Sequence, residues 1–359
     1  MRDAVLTSLV LLAAACDSGP AVDATCSDCA IQLERLVTIG EGTGEGALDD
    51  QAGHMVRDDR GRWLVLSHTQ ALPYIYDSTG AYAGRLGSEG EGPGEFVRPR
   101  GVVAGNDSVY VFDAATGKLQ VFDGDLSFAR AVSGPVRFNM AVMVGGGRFV
   151  ANTLPPGRPP LALYGPGGTE LASFGDTVSG ADPGTAYLHR PRVLARARSG
   201  GVWSAKQFFD PILRRWSRDG ELVEEIPLSL SWYEPYETIE NLNPDRRPWS
   251  TINGIWEDES GRVWIVGLSA DDDWAEGLGE PVGGEGRQRV HPVEDPDRVF
   301  DTFITAIDPL RTRDGEGGVL FERRLDGAYA GTGPGLITTP TTDDLGFQSR
   351  TVYRVRLAE

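Results

Sequence analysis

Leu86-Gly87-Ser88-Glu89-Gly90-Glu91-Gly92-Pro93-Gly94-Glu95-Phe96 closes one apolar run and leads, through Arg98-Pro99-Arg100-Gly101, into another at Val102-Val103. Glycine and proline at this density break both helix and strand, so the stretch is a connector between two extended elements. Its signature occurs once before, as Leu36-Val37-Thr38-Ile39-Gly40-Glu41-Gly42-Thr43-Gly44-Glu45. A strand ending that recurs with its own connector marks a repeat architecture. The earlier copy lacks the strands that precede the later one, so it reads as an orphan last strand.

Between and beyond these copies the chain repeats a unit of short strands. Alternating second strands stand at Trp63-Leu64-Val65-Leu66, Val109-Tyr110-Val111-Phe112, Val202-Trp203-Ser204-Ala205 and Val263-Trp264-Ile265-Val266. Third strands follow at Tyr74-Ile75-Tyr76, Leu119-Gln120-Val121-Phe122 and Ile212-Leu213-Arg214-Arg215-Trp216, each closed by a Gly or Asp turn such as Arg218-Asp219-Gly220. First strands are placed near Met55, Val102, Ala141, Val193, Ile255 and Ile337. Their spacing of roughly 40 to 60 residues suits a four-stranded blade rather than a helical solenoid, and helical periodicity is almost absent. The fold expected is all-β: one six-bladed propeller of four-stranded antiparallel blades over residues 30–359, with an insertion at 270–299 in blade 5. The last unit, read as Leu336 to Leu357, has room for three strands, with Thr351 to Leu357 as the third. Ile31 to Ile39 would complete it and remove an exposed sheet edge. The run Gly87–Phe96 with Arg98–Val103 resembles the connector and first strand of NHL-repeat propellers.

Acidic residues outnumber basic ones 52 to 34, a formal charge of -18, which argues against nucleic acid as the partner. Hydrophobic residues at 40%, with eight Trp, suffice for a packed interior, so the 47 Gly mark turns rather than disorder. Arg2 precedes an apolar stretch, Ala4 to Ala15, too short to span a bilayer and ending in Ala13-Ala14-Ala15. Residues 1–15 are therefore an export signal. Leu12-Ala13-Ala14-Ala15-Cys16 resembles the bacterial lipoprotein box, although Ala13 stands where that box usually has Leu. The resemblance implies lipidation of Cys16, with residues 16–29 as a tether, and places the protein at the cell envelope. Cleavage by ordinary signal peptidase at the same bond is the alternative. Cys26 and Cys29 form a C-x-x-C pair for which a local disulfide is expected in an oxidising compartment; a zinc or redox role lacks the further ligands or helix start it needs.

Three connectors end in arginine beside proline, and these are the candidate ligand-binding residues: Arg98 and Arg100, Arg190 and Arg192, Arg246 and Arg247. Placed near the channel mouth of an acidic protein, they could select a carboxylate or phosphate. Pairing with acidic neighbours in their own connectors is the structural alternative. The long loops, Ser88–Pro99, Asp176–Pro191, Ser229–Trp249, Leu154–Pro160 and Ala270–Val299, all fall on one face, the expected working surface. The Gly-rich runs are no phosphate loops, since no helix follows them, and there is no G-x-S-x-G elbow, H-E-x-x-H pair or EF-hand loop. His54, Asn139 and Asn253 at first-strand starts are metal candidates, with polar positions lining a wet channel as the ordinary reading; no cofactor is expected, and calcium at Asp271-Asp272-Asp273 is the alternative to a solvated charged loop. The expected role is a monomeric binding or scaffolding propeller that presents its loop-rich face to a protein, peptide, glycan or small anion. The alternative that the resemblance implies is a metal-dependent lactonase- or lyase-like enzyme acting at the central channel.

Overall fold

The computed structural model describes residues 30–48, 52–133, 138–153, 157–176, 189–236, 244–282, 291–313, 316–343 and 347–358. The segment 1–15, Cys16, Cys26 and Cys29 lie outside the described residues. Six four-stranded sheets, each antiparallel throughout, succeed one another along the chain. From axis to rim, blade 1 comprises Ala52–Arg57, Trp63–Ser67, Tyr74–Tyr76 and Tyr82–Arg85. Blade 2 comprises Pro99–Ala104, Ser108–Asp113, Lys118–Asp123 and Phe128–Ser133, and blade 3 Phe138–Gly145, Arg148–Thr153, Leu161–Tyr164 and Glu170–Phe174. Blade 4 comprises Arg192–Arg196, Val202–Lys206, Ile212–Trp216 and Leu222–Pro227. Blade 5 comprises Thr251–Glu257, Val263–Ala270, Phe300–Arg313 and Glu316–Leu325. Blade 6 is Ala330–Gly333, Leu336–Thr342 and Gln348–Ala358, completed at its rim by the N-terminal strand Ala30–Ile39.

The core is distributed. Each pair of neighbouring blades encloses its own apolar cluster, including the pair formed by blades 6 and 1, and the clusters together form a ring. Because a blade is covered on both faces, its second strand reads as a continuous apolar run: all of Trp63–Ser67 is buried. The turns between the first and second strands of blades 1 and 5 use one device. Asp58 accepts from the amides of Arg60 (3.0 Å) and Arg62 (2.8 Å), and Asp258 repeats this with Ser260 (2.8 Å) and Arg262 (3.1 Å). A carboxylate satisfying two turn amides is why these hairpins carry Asp at that position.

Ring closure is explicit in the register. Ala30 lies opposite Ala358 and Ile39 opposite Arg350, with a bulge between Arg35 and Val37. In a strand, odd residues would share one face; the bulge moves Val37 and Ile39 to the other. Ile31 and Leu33 pack into the blade 5–6 cluster, whereas Val37 and Ile39 enter the blade 6–1 cluster beside Met55 and Trp63. Ion pairs of Glu34 with Arg354 (3.6 Å) and Arg356 (2.7 Å) and a contact of the Thr38 and Thr351 hydroxyls (3.0 Å) link the two termini further.

One expectation is corrected. Ile337 belongs to the second strand of blade 6, not the first, and the unit starts at Ala330 rather than Leu336. The true first strand, Ala-Gly-Thr-Gly, carries almost no apolar side chain because it crosses blade 5 backbone to backbone: a Cβ on Gly331 would lie 2.7 Å from the Cα of Gly254. Inside the blade 5 insertion the described residues hold a short 3-10 turn, Trp274–Gly277, and one helical turn, Pro296–Val299. No described helix is long and apolar enough to cross a membrane.

Candidate functional site

In an antiparallel blade the connectors and the second-to-third loops open on one face of the ring, and the remaining turns on the other. On the connector face, between Ser229–Trp249 and the start of blade 5, lies a cleft of about 410 Å³. Trp232, Tyr236 and Trp249 give it aromatic walls, Arg246 and Arg247 give it charge, and Ser250 and Ser269 contribute hydroxyls.

The aromatic walls are built as a connected stack. Trp232 lies flat on Phe303 (5.5 Å between centroids, 15°), and its indole N–H donates to Thr305 Oγ1 at 3.1 Å. Gly267, in the second strand of blade 5, leaves the room: a Cβ there would meet the Trp232 ring at 1.9 Å. Tyr236 donates to the Ser250 carbonyl (3.0 Å) and contacts Trp249 (6.3 Å) and Phe209 (5.4 Å), whose ring stacks on His189 at 3.9 Å. Phe209 adopts φ 75°, a left-handed conformation that costs a bulky residue energy and that recurs at functional sites. Burial pushes the Tyr236 hydroxyl up to about 12 and raises that of Tyr233 as well, so both stay neutral. The Trp249 indole N–H is buried without a hydrogen-bond partner among the described residues.

The structure separates the three arginine pairs. Arg246 and Arg247 line the cleft; Arg247 donates to the Ala270 carbonyl at 2.8 Å and lies 4.0 Å from Asp272. Arg190 donates to the carbonyls of Thr153 (3.1 Å) and Arg158 (3.1 Å), stapling its connector to the blade 3 loop. Arg192 is only 5% exposed; its Nη1 donates to the His189 carbonyl at 2.6 Å, its Nη2 has no hydrogen-bond partner among the described residues, and burial lowers its pKa to about 10. Arg100 donates to His68 Nδ1 (2.6 Å) and the His68 carbonyl (3.2 Å), and Arg98 is exposed beside it. The described hydrogen bonds of Arg100, Arg190 and Arg192 go to carbonyls and to a histidine, while Asp176 of its own connector attracts the Arg192 charge.

Of the metal candidates, His54 and Asn253 both line the central channel, and Asn253 Oδ1 accepts from Gln207 at 3.2 Å. The Asn139 side chain lies outside the described residues. Asp271 is engaged by Arg324 (3.2 Å), which also pairs with Asp301 and lies 3.7 Å from Asp272. Among the described residues no group of three or more His, Cys, Asp or Glu is placed to hold a metal. Sequence reasoning missed the aromatic walls, although four aromatic residues in one connector, Trp232, Tyr233, Tyr236 and Trp249, were a signal for them.

The family model described as DUF5128, a 6-bladed beta-propeller, matches residues 51–150. No curated protein matches the chain. Among solved structures it is similar to a Bacteroides fragilis protein described as exported, at 12% identity and TM-score 0.57 over 92% of this chain and 96% of that one. It is similar also to a member of the DUF4221 family from Bacteroides vulgatus, at 10% identity and TM-score 0.56 over 92% and 99%. At such identities the likeness concerns the fold: the chain is a six-bladed β-propeller.

Proposed function

We propose that this chain is an envelope binding propeller of NHL-like type, exported and lipid-anchored at Cys16, whose cleft beside blade 5 receives an anionic group on a protein, peptide, glycan or small molecule. The observation that carries this reading is the convergence of Arg246 and Arg247 with Tyr236, Trp249 and two serine hydroxyls around one open cleft. Guanidinium forks recognise carboxylate and phosphate, and aromatic walls supply contact area at low entropic cost. Anchoring fits the same geometry. The N-terminal strand begins at Ala30 opposite Ala358, where the third strand of blade 6 ends, and third strands run from the connector face to the turn face. A tether from Cys16 therefore joins the ring on the turn face and points the cleft away from the bilayer.

Two measurements test the proposal. Mass spectrometry of the mature amino terminus is expected to show a diacylated or triacylated Cys16; an unmodified residue would remove the anchor. Calorimetric titration with acidic and neutral oligosaccharides and peptides is expected to find binding of acidic members only, weakened at least tenfold by Arg246→Ala with Arg247→Ala. Equal affinity in the double variant would refute the cleft as the site.

A further inference from the structure

The first strands around the ring axis enclose a second cavity, of about 170 Å³. It extends from His54 and Asn253, near the starts of these strands, to Arg196, Glu257 and Pro334 at their far ends. The wall between is apolar, formed by Met55, Val56, Met140, Val142, Leu194 and Ile255. Its polar groups are mostly engaged. Glu257 accepts from the Arg198 amide and the Trp203 indole (both 2.8 Å), Asn253 accepts from Gln207 (3.2 Å), and Thr332 donates to the Met55 carbonyl (3.3 Å). His54 differs: it is half-buried, and its solvent-shielded Nδ1 has no hydrogen-bond partner among the described residues. Burial holds it near a pKa of 4, so the ring is neutral. A neutral imidazole offers one donor and one acceptor.

A largely apolar space of this size gives few anchors to water, which needs two to four polar partners, and a dry cavity of about 150 Å³ accommodates a benzene ring. A charged occupant would lose its hydration along the apolar wall, because the charged side chains of the lining, Arg196 and Glu257, lie at one end only. We propose that the axial cavity binds one small, uncharged, mostly apolar molecule of about a single six-membered ring, bearing one hydroxyl or amino group that hydrogen-bonds the His54 imidazole. This site is separate from the cleft on the connector face and does not depend on it.

Phenol and benzene serve as probes, titrated into the intact chain and followed by ligand-observed NMR. The intact protein is expected to bind both, phenol about tenfold more tightly, the margin of one hydrogen bond. His54→Leu should keep benzene and lose the preference for phenol. Ala141→Leu, which adds bulk at the cavity wall, should weaken both at least tenfold while still melting cooperatively; should it fail to fold, Val142→Phe applies the same block from the next position. Failure of the intact protein to bind either probe, a phenol preference that survives in His54→Leu, or unchanged binding in a folded cavity-filled variant would each overturn the proposal.

Discussion

At the level of single residues, the molecule uses buried polar groups in two opposite ways. Asp113, fully buried, accepts from the amides of Val97 (2.8 Å), Arg98 (2.7 Å), Ala115 (3.0 Å) and Thr116 (2.8 Å). Burial alone would raise its pKa, but these bonds win and hold it below the ordinary carboxylate range. It thereby fastens the blade 1–2 connector to the end of a second strand. His54 has no such compensation, and burial lowers it from 6.5 to about 4. The unfolded chain then binds a proton between those values that the folded chain refuses. Stability should accordingly be full above pH 6.5 and fall by about 1.4 kcal/mol per unit as pH drops toward 4. Denaturant unfolding at several pH values checks this: the difference between the intact protein and His54→Leu should carry that slope, and parallel profiles would show that His54 titrates normally. The turn role of Asp58 and Asp258 was legible, because Asp three residues before Gly is local chemistry. That of Asp113 was not, because its partners Val97 and Arg98 come from another connector. The arginines were legible as a group but not as individuals. Whether a guanidinium meets a carbonyl, as at Arg190, or lines a cleft, as at Arg247, depends on loops that no local pattern specifies.

At the level of elements, alternation and turn residues identified every first strand but one. The exception, Ala330–Gly333, has the composition of a loop because its position demands small residues: Gly331 and Gly254 meet across the blade 5–6 interface with no room for a Cβ on either. Close approach replaced the apolar signal on which strand recognition rests. Gly331→Val is therefore expected to destabilise the fold by about 2 kcal/mol through overpacking, and Gly331→Ala by less. Chemical denaturation measures both; a Val variant as stable as the parent would mean that the two strands are not in contact. The aromatic walls of the cleft escaped notice for the converse reason. Trp232 and Tyr236 sit in a connector, where aromatic residues have no periodicity, and their convergence with Phe303 and Phe209 joins segments distant in sequence.

At the level of the whole molecule, the ring has no independent end. The N-terminal strand supplies Val37 and Ile39 to one blade interface and Ile31 and Leu33 to the next, so it belongs to the core of blades 5, 6 and 1 together. Burying Val37 and Ile39 alone is worth on the order of 4 kcal/mol, a large share of a marginal folding free energy. This closure was legible because Leu36–Glu45 repeats the strand ending and connector at Leu86–Glu95 without strands before it. The bulge at Arg35, which lets one strand serve two interfaces, was not, since it depends on pairing with Gln348–Ala358. Native-state hydrogen exchange of the amides in Ala30–Ile39 tests closure most directly. Those bonded to Gln348–Ala358 should exchange as slowly as the second strands of blades 1 and 6, opening only with the ring. Exchange at the rate of an unstructured peptide, while the remaining blades stay protected, would contradict it.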